Sequence, residues 1–264
     1  MSPILVFDIE TVPDVAALRR VHGIPAQVDD EGALAWAVQQ RRAHSGGDFL
    51  PPPFQRIVAI SCALREGSAF RVWSLGELAD PEPELVRRFF DGLERYTPQL
   101  VSWNGSGFDL PVLHYRSLLH GVPASRYWDV GDDDREFRYN NYLSRYHTRH
   151  LDLMDVLSAY QPRASAGLDV MARLCGFPGK MGMDGSAVHA AVRGGGLDSV
   201  RRYCETDVMN TYLLFLRFQL IRGALNAGEY AREVSFARER IAAIGAVHWI
   251  EFLAAWDAQA QRDT

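Results

Sequence analysis

Ile4-Leu5-Val6-Phe7-Asp8-Ile9-Glu10-Thr11 begins with an unbroken apolar run and ends in two carboxylates. Such a run, bounded by charge, reads as a β-strand buried on both faces. Residues two apart on a strand point to the same side, so Asp8 and Glu10 project together. In open α/β sheets, sites gather at the carboxyl ends of strands, where this pair lies. A polar strand end entering a turn at Pro13-Asp14 would be spelled the same way. The pair by itself leaves both readings open.

Working outward, residues 14–56 read as a polar, helical excursion over the surface that closes at Pro51-Pro52-Pro53. Two β-like runs follow, Ile57–Leu64 and Phe70–Ser74, separated by the Glu66-Gly67 turn. Leu85, Phe89, Phe90 and Leu93 recur at helical spacing and predict a helix from about Pro83 to Tyr96. Leu100–Trp103 reads as a strand, a glycine-rich turn breaks it, and Leu110–His120 reads as a helix. Beyond Gly121 the chain is irregular through Asp132-Asp133-Asp134 and the segment Arg135–His150. Helices are expected near Leu153–Tyr160 and Leu168–Cys175, then a glycine-rich loop, Gly176–Gly185, and a break at Gly194-Gly195-Gly196. A long helix from Leu197 to Arg222 and a final amphipathic segment from about Tyr230 to Trp256 complete the chain. There is no internal repeat and no long linker. The expectation is one α/β domain over 1–264, with its core at about 3–222 and a helical extension at about 223–264.

Composition narrows the function classes. With 47% hydrophobic and 23% charged residues, disorder, collagen and coiled coil are excluded. A formal charge of −5 excludes the global basic field of a duplex binder. Of the 28 cationic residues only Lys180 is a lysine, so the other 27 are arginines, the better bidentate partners for phosphate. Cys62, Cys175 and Cys204 have no C-x-x-C spacing and read as reduced thiols, not zinc ligands. Ile4–Phe7 is too short for a signal-peptide core, and Arg217 and Gln219 break the longest apolar candidate, Tyr212–Ile221. These features predict a soluble, cytoplasmic protein without a membrane partner.

Two more segments carry chemistry. Asn104-Gly105-Ser106-Gly107-Phe108-Asp109 joins a strand to a helix, and its glycines let backbone approach a ligand while an exposed Phe108 and a carboxylate stand at the turn. Helix capping by Asp109, with Pro111 in the first turn, would account for part of that spelling. Tyr203-Cys204-Glu205-Thr206-Asp207 lies within the long helix, and Tyr203 and Asp207, four apart, share a face. A partly buried carboxylate there needs a partner or a metal, whereas a solvated face would need neither. The conjunction is more telling than any member. Asp8, Glu10, Asp109 and Asp207 form a hard oxygen set suited to two Mg²⁺ or Mn²⁺ ions. Two such ions assist in-line displacement at phosphorus.

In order and spacing, Phe7-Asp8-Ile9-Glu10-Thr11, Asn104-Gly105-x-x-Phe108-Asp109 and Tyr203-x-x-x-Asp207 resemble the three exonuclease motifs of the DEDD 3′–5′ exonuclease superfamily. The likeness is to the tyrosine-containing branch and most of all to the proofreading domains of family-B DNA polymerases. Leu151-Asp152-Leu153-Met154-Asp155, the loop Gly176-Phe177-Pro178-Gly179-Lys180 and the stretch Tyr203–Phe218 resemble a stand-alone bacterial group of predicted exonucleases related to those domains. The resemblance covers roughly residues 3–222. It implies a ribonuclease H-like fold, a central mixed β-sheet flanked by helices. It also implies that Asp8, Glu10, Asp109 and Asp207 hold the metals, with Asp8 bridging both ions and Asp109 acting partly through water. Tyr203 would orient the attacking water. The sister branch has a histidine five residues before the last aspartate; here Arg202 stands there.

The expected activity is metal-dependent 3′–5′ exonucleolysis of single-stranded DNA or RNA ends, releasing nucleoside monophosphates. A non-catalytic nucleic-acid-binding module and a hydrolase of short oligonucleotides are the competing readings. Thr11, Asn104 and Phe108 are candidate substrate contacts within the motifs. Arg145 and Arg149 are further candidates, because Arg135–His150 interleaves arginines with Phe137, Tyr139, Tyr142 and Tyr146, a pattern suited to single strands. Tyrosines packed inward beneath a solvated loop would explain the same pattern. Lys180 is a candidate phosphate contact. Asp152 and Asp155 read as a helix cap and a nearby acid, and His147 and His150 lack the company of a zinc site.

Overall fold

The computed structural model describes residues 3–262. β1 (Ile4–Pro13) is the middle strand of a five-stranded sheet. On one side it pairs antiparallel with β2 (Gln55–Glu66), which pairs antiparallel with β3 (Ala69–Ser74). On the other side it pairs parallel with β4 (Gln99–Ser102), which pairs parallel with β5 (His150–Asp152). The order is β3-β2-β1-β4-β5, a mixed sheet. The helices are α1 (Val15–His22), α2 (Asp30–Ser45), α3 (Glu82–Tyr96), α4 (Asp109–His120), α5 (Ser125–Trp128) and α6 (Leu153–Leu157). They continue with α7 (Leu168–Leu174), α8 (Val188–Arg193), α9 (Leu197–Ile221), α10 (Ala227–Ala242) and α11 (Val247–Arg262).

The alternation along β1 builds both layers. Leu5, Phe7 and Ile9 pack with Leu85, Phe89 and Leu93 of α3 and with Leu110 and Leu113 of α4. Val6, on the opposite face, joins Val208, Met209 and Tyr212 of α9. Asp8 and Glu10 continue that second face. α9 is apolar for most of its circumference because it lies between the sheet and α10–α11; Ile241, Trp249 and Phe252 are buried against it. Such a helix is a core element, not an amphipathic surface one. No helix among the described residues is long and apolar enough to cross a membrane.

Three local expectations change. β5 begins at the end of the irregular Arg135–His150 segment, where no strand is expected; one apolar residue, Leu151, between polar His150 and Asp152 carries too little pattern to announce a strand. The final amphipathic segment is two helices, broken near Gly245, whose φ of 68° suits glycine. α8 forms in the stretch after the glycine-rich loop, where no helix was expected.

Candidate metal centre and active site

β1 carries Asp8 and Glu10 toward α9 just beyond the end of the short parallel β4. A register shift between Glu10 and Thr11 re-aims the strand as it leaves the sheet. Asp109 is the first residue of α4, and one carboxylate oxygen accepts the Ile9 N–H at 3.1 Å, tying turn to strand. α9 crosses β1 with Cys204 against Asp8: the thiol is 3.5 Å from the Asp8 carbonyl oxygen and 3.4 Å from its carboxylate. Asp207 lies one turn further along. The charges of Asp109, Glu10 and Asp207 all bear on Asp8. The structure thus brings the four acids together from three distant segments.

Tyr203 and Lys180 complete the cluster. The Lys180 ammonium donates to the Tyr203 hydroxyl and lies 3.7 Å from an Asp207 oxygen. The loop that presents Lys180 is clamped from beneath. The buried Asn210 amide donates to the Gly179 carbonyl at 2.8 Å, and its oxygen accepts the Gly179 N–H at 3.2 Å. Asp169 accepts the Lys180 N–H at 2.7 Å. A Cβ on Gly179 would lie 2.4 Å from that same Asp169 oxygen, so glycine is required there.

Burial, reinforced by Asp109, Glu10 and Asp207, pushes the Asp8 carboxyl well above the usual carboxylate range. Burial and the Asp207 charge do the same to Glu10. Burial lifts Asp109 to about 7 against the pull of the Ile9 amide, and lifts Asp207 to about 6 against Lys180 and Tyr203. Burial, then Asp207 and Glu10, drives the Tyr203 phenol far upward. Anions this close are stable together only with protons or cations among them. Lys180 is a single charge among four acids, and Oδ1 of Asp207 is buried with no hydrogen-bond partner. These observations fit a divalent metal centre, and the all-oxygen carboxylate set fits Mg²⁺ or Mn²⁺. Cys204 Sγ lies within 4.8 Å of ligand atoms of Asp8 and Glu10, but burial holds its thiol protonated. It is then a neutral neighbour of Asp8 and not a thiolate ligand.

The turn beside the cluster is organised by Asp152. Its carboxylate accepts the Asn104 N–H at 2.9 Å and the Ser106 N–H at 2.8 Å, and caps α6 through Met154 and Asp155. Asn104 adopts φ 67°, and its carbonyl accepts the Gly107 and Phe108 amides. A Cβ on Gly105 would meet Ser102 Oγ at 2.3 Å. Phe108 is half-buried, not exposed as expected: it leans on the core and meets exposed Phe49 edge-on at 5.4 Å. Thr11 donates to the Gln55 side chain at 3.0 Å. His147 accepts the Asn141 N–H, and buried His150 bonds Ser102 at 2.9 Å.

The Arg135–His150 segment divides. Phe137 and Tyr142 belong to the core, whereas Tyr139 and Tyr146 are exposed. Arg145 pairs with Asp155 at 3.0 Å and lies over the Tyr160 ring. Arg149 corrects the expectation. It precedes β5, at the amino end of the parallel strands, where it covers Phe137 at 4.4 Å and lines a cavity with Ile4 and Gln99. That is the end of the sheet opposite to the acids. Sequence reasoning missed Asn210, Cys204 and Phe49. Asn210 had a signal: it lies three residues past Asp207 and seven past Tyr203, on their face of α9. The other two had none.

A mixed sheet with acids gathered beyond its central strand, and a tyrosine and an aspartate supplied by a crossing helix, defines a ribonuclease H-like protein with a carboxylate-cluster site. Over residues 47–256 the sequence matches the family described as "Predicted 3'-5' exonuclease related to the exonuclease domain of PolB", and the chain belongs to that family. Asp109, Lys180, Tyr203 and Asp207 lie inside the matched span, whereas Asp8 and Glu10 precede it. Among curated proteins, the DNA polymerase of Desulfurococcus sp. (strain Tok) is 27% identical over 207 residues, covering 74% of this chain and 26% of the polymerase. The DNA polymerase of Pyrococcus glycovorans is 26% identical over 203 residues, with the same coverage of 74% and 26%. The chain thus spans about a quarter of the length of these relatives. The solved family B DNA polymerase from Pyrobaculum calidifontis superposes with a TM-score of 0.51 at 17% identity, covering 92% of this chain and 29% of that one. The superposition agrees on the fold.

Proposed function

We propose that the chain is a divalent-metal-dependent 3′–5′ exonuclease that hydrolyses the last phosphodiester of a single-stranded DNA or RNA 3′ end and releases a nucleoside monophosphate. The observation that carries this reading is the convergence of Asp8, Glu10, Asp109 and Asp207 beside Tyr203 and Lys180, with one buried Asp207 oxygen left unpartnered. In this reading the four acids hold two ions, Mg²⁺ or Mn²⁺. When bound, such ions supply charge that polarises the scissile phosphate and acidifies water at neutral pH.

The chain's own groups do the rest. Tyr203 stays protonated, because burial and its anionic neighbours oppose ionisation, and so serves as a hydrogen-bond donor that orients the attacking water or the phosphate. Lys180 places a point charge where phosphate oxygens arrive. Asn210 and Asp169 hold its loop in register with Tyr203. Phe108, with Phe49 at its edge, offers rings for the terminal base or sugar, and Thr11 and Asn104 flank the strand end and the turn. Arg145 reaches the more distant phosphates, exchanging Asp155 for them. Arg149 has no part in this site. The whole of 1–264 is proposed as one catalytic domain, and its free cysteines accord with a cytoplasmic setting.

The test is a matched set of 3′-labelled and 5′-labelled DNA and RNA strands, incubated with Mg²⁺, Mn²⁺ or chelator. Mononucleotide released from the 3′ end only in the presence of metal is the expected result. Binding without turnover, or cleavage confined to two-nucleotide substrates, would replace the proposal with one of the competing readings.

A further inference from the structure

On the face of the sheet that carries Asp8, one row of side chains is apolar: Val6, Ala63 and Val72 stand in register on β1, β2 and β3. The next row on that face is polar. Asp8 pairs with Ser61 and Ser61 with Ser74, so a carboxylate and two hydroxyls cross three strands in line. Ser61 is fully buried and Ser74 nearly so. Two further members arrive from the helices. One carboxylate oxygen of Glu205 on α9 accepts the Ser74 hydroxyl at 2.7 Å, and the other bonds His248 Nε2 of α11 at 3.0 Å. α9 reaches the same strand a second time, because Arg201, one turn before Glu205, donates to the Ser74 carbonyl at 3.2 Å.

Counting hydrogens gives the row one direction. Ser74 has a single hydroxyl hydrogen and gives it to Glu205, so across the 2.9 Å contact Ser61 donates and Ser74 accepts. The Ser61 oxygen is then left as an acceptor facing the Cys204 thiol. Cys204 lies 3.4 Å from the Asp8 carboxylate and is its only side-chain donor among the described residues. From α11 to Asp8 the contacts are unbroken, through His248, Glu205, Ser74, Ser61 and Cys204. Buried hydroxyls add little net stability, since apolar side chains of the same shape would pack about as well. A fully paired row specifies a single arrangement instead. Trp249 and Phe252 hold α11 against α9 by apolar packing, which has no direction of its own. The Ser74–Glu205–His248 bonds do have one. They fix how far along β2 and β3 the helix α9 sits, and hence where Cys204 and Asp207 stand against Asp8.

We propose that Ser61, Ser74, Glu205 and His248 are positioning residues of the metal centre, through which α11 fixes the placement of α9 on the sheet and so the spacing of Asp207 from Asp8. This role presupposes the divalent-metal reading above. It gives the C-terminal helices a part in a site to which they supply no acid.

The test is calorimetric titration of Mn²⁺ into the full chain, with thermal melts in chelator and steady-state kinetics on a single-stranded oligonucleotide. Ser74→Ala and His248→Ala should each raise the Mn²⁺ Kd by roughly tenfold or more, and lower kcat with little change in KM. Ser74→Thr and His248→Gln, which keep a hydroxyl and a side-chain donor, should recover most of the parent's affinity. Phe252→Leu removes apolar packing on α11 and leaves the row intact, so it should lower the melting temperature without moving the Mn²⁺ Kd. If Ser74→Ala does not fold, His248→Ala, near the start of α11, decides. A parent-like Mn²⁺ Kd in the alanine variants overturns the proposal and leaves the row a structural contact. An equal rise in Phe252→Leu overturns it too, because loosened packing would then be the cause. A parent chain that binds no Mn²⁺ overturns the metal reading itself, and this role with it.

Discussion

Tyr203 shows how surroundings assign a role. A free phenol is already a poor base at neutral pH, and here burial and the Asp207 and Glu10 charges push its ionisation further away. Tyr203→Phe is therefore expected to keep fold and metal affinity while kcat falls by about 10–10³-fold, the loss of one positioning hydrogen bond. Asp8→Ala and Asp207→Asn should cost orders of magnitude more activity. Without metal, their melting temperatures should match or exceed the parent's, since each relieves repulsion among buried acids. Steady-state kinetics and thermal melts on the three variants check this ordering. If Tyr203→Phe proved as inactive as Asp207→Asn and recovered only in strongly alkaline buffer, the phenol would be the base after all.

Among elements, the site depends on two anchors that touch none of the four clustered carboxylates. Arg116 of α4 is almost wholly buried, bonds both oxygens of Glu82 at the start of α3, and lies 2.8 Å from Asp14. Glu82 also accepts the Ile57 N–H at 2.7 Å, so β2, α3 and α4 meet at one carboxylate. Removing one partner of a buried ion pair strands the other. Arg116→Met should lower unfolding free energy by about 3–5 kcal/mol in denaturant melts, and adding Glu82→Gln should return part of it. An unchanged midpoint for Arg116→Met would show the network to be ornamental. Asp152 is the second anchor, since it organises the Asn104–Gly107 turn and caps α6 together. Asp152→Ala should cost roughly 1–2 kcal/mol as a lost cap and loosen Phe108. Its activity loss should appear mainly in KM, because Asp8, Glu10, Asp109 and Asp207 stay in place.

For the whole molecule, the proposed function makes proton and metal competitors for the same carboxylates. The raised Asp8, Glu10, Asp109 and Asp207 hold protons in the folded chain that the unfolded chain has released between about pH 4 and 7. Their contribution to stability is full below the ordinary carboxylate range and fades as pH rises through the folded values near 6 and 7. His114 and His150, lowered to about 4 by burial, act in the opposite direction: their share is full above an imidazole's usual value and is lost on acidification. A metal-induced change would separate the two, because on the proposed function only the acids hold the ion. The rise in melting temperature caused by saturating Mn²⁺ should be small at pH 5 and grow toward pH 8. A shift independent of pH would mean that the acids carry no protons to displace. Asp207→Asn should shrink that shift at every pH.

The sequence by itself determined the parts whose signals are local. The apolar run of β1 with Asp8 and Glu10 two apart, the helical spacing of α3, and Tyr203 four residues before Asp207 each follow from the period of a single element. Only the tertiary structure decided what those parts meet. β5 exists because β4 offers it a partner, not because three residues prefer a strand. Arg149 reads like a nucleic-acid contact in the chain, yet the parallel register of β5 on β4 carries it to the wrong end of the sheet. Lys180 was one cation in a glycine-rich loop until Asn210 and Asp169 folded that loop onto Tyr203. Periodicity reports which way a side chain points from its own backbone. Which charge it will face is set by chain segments tens to hundreds of residues away, and so by the packing alone.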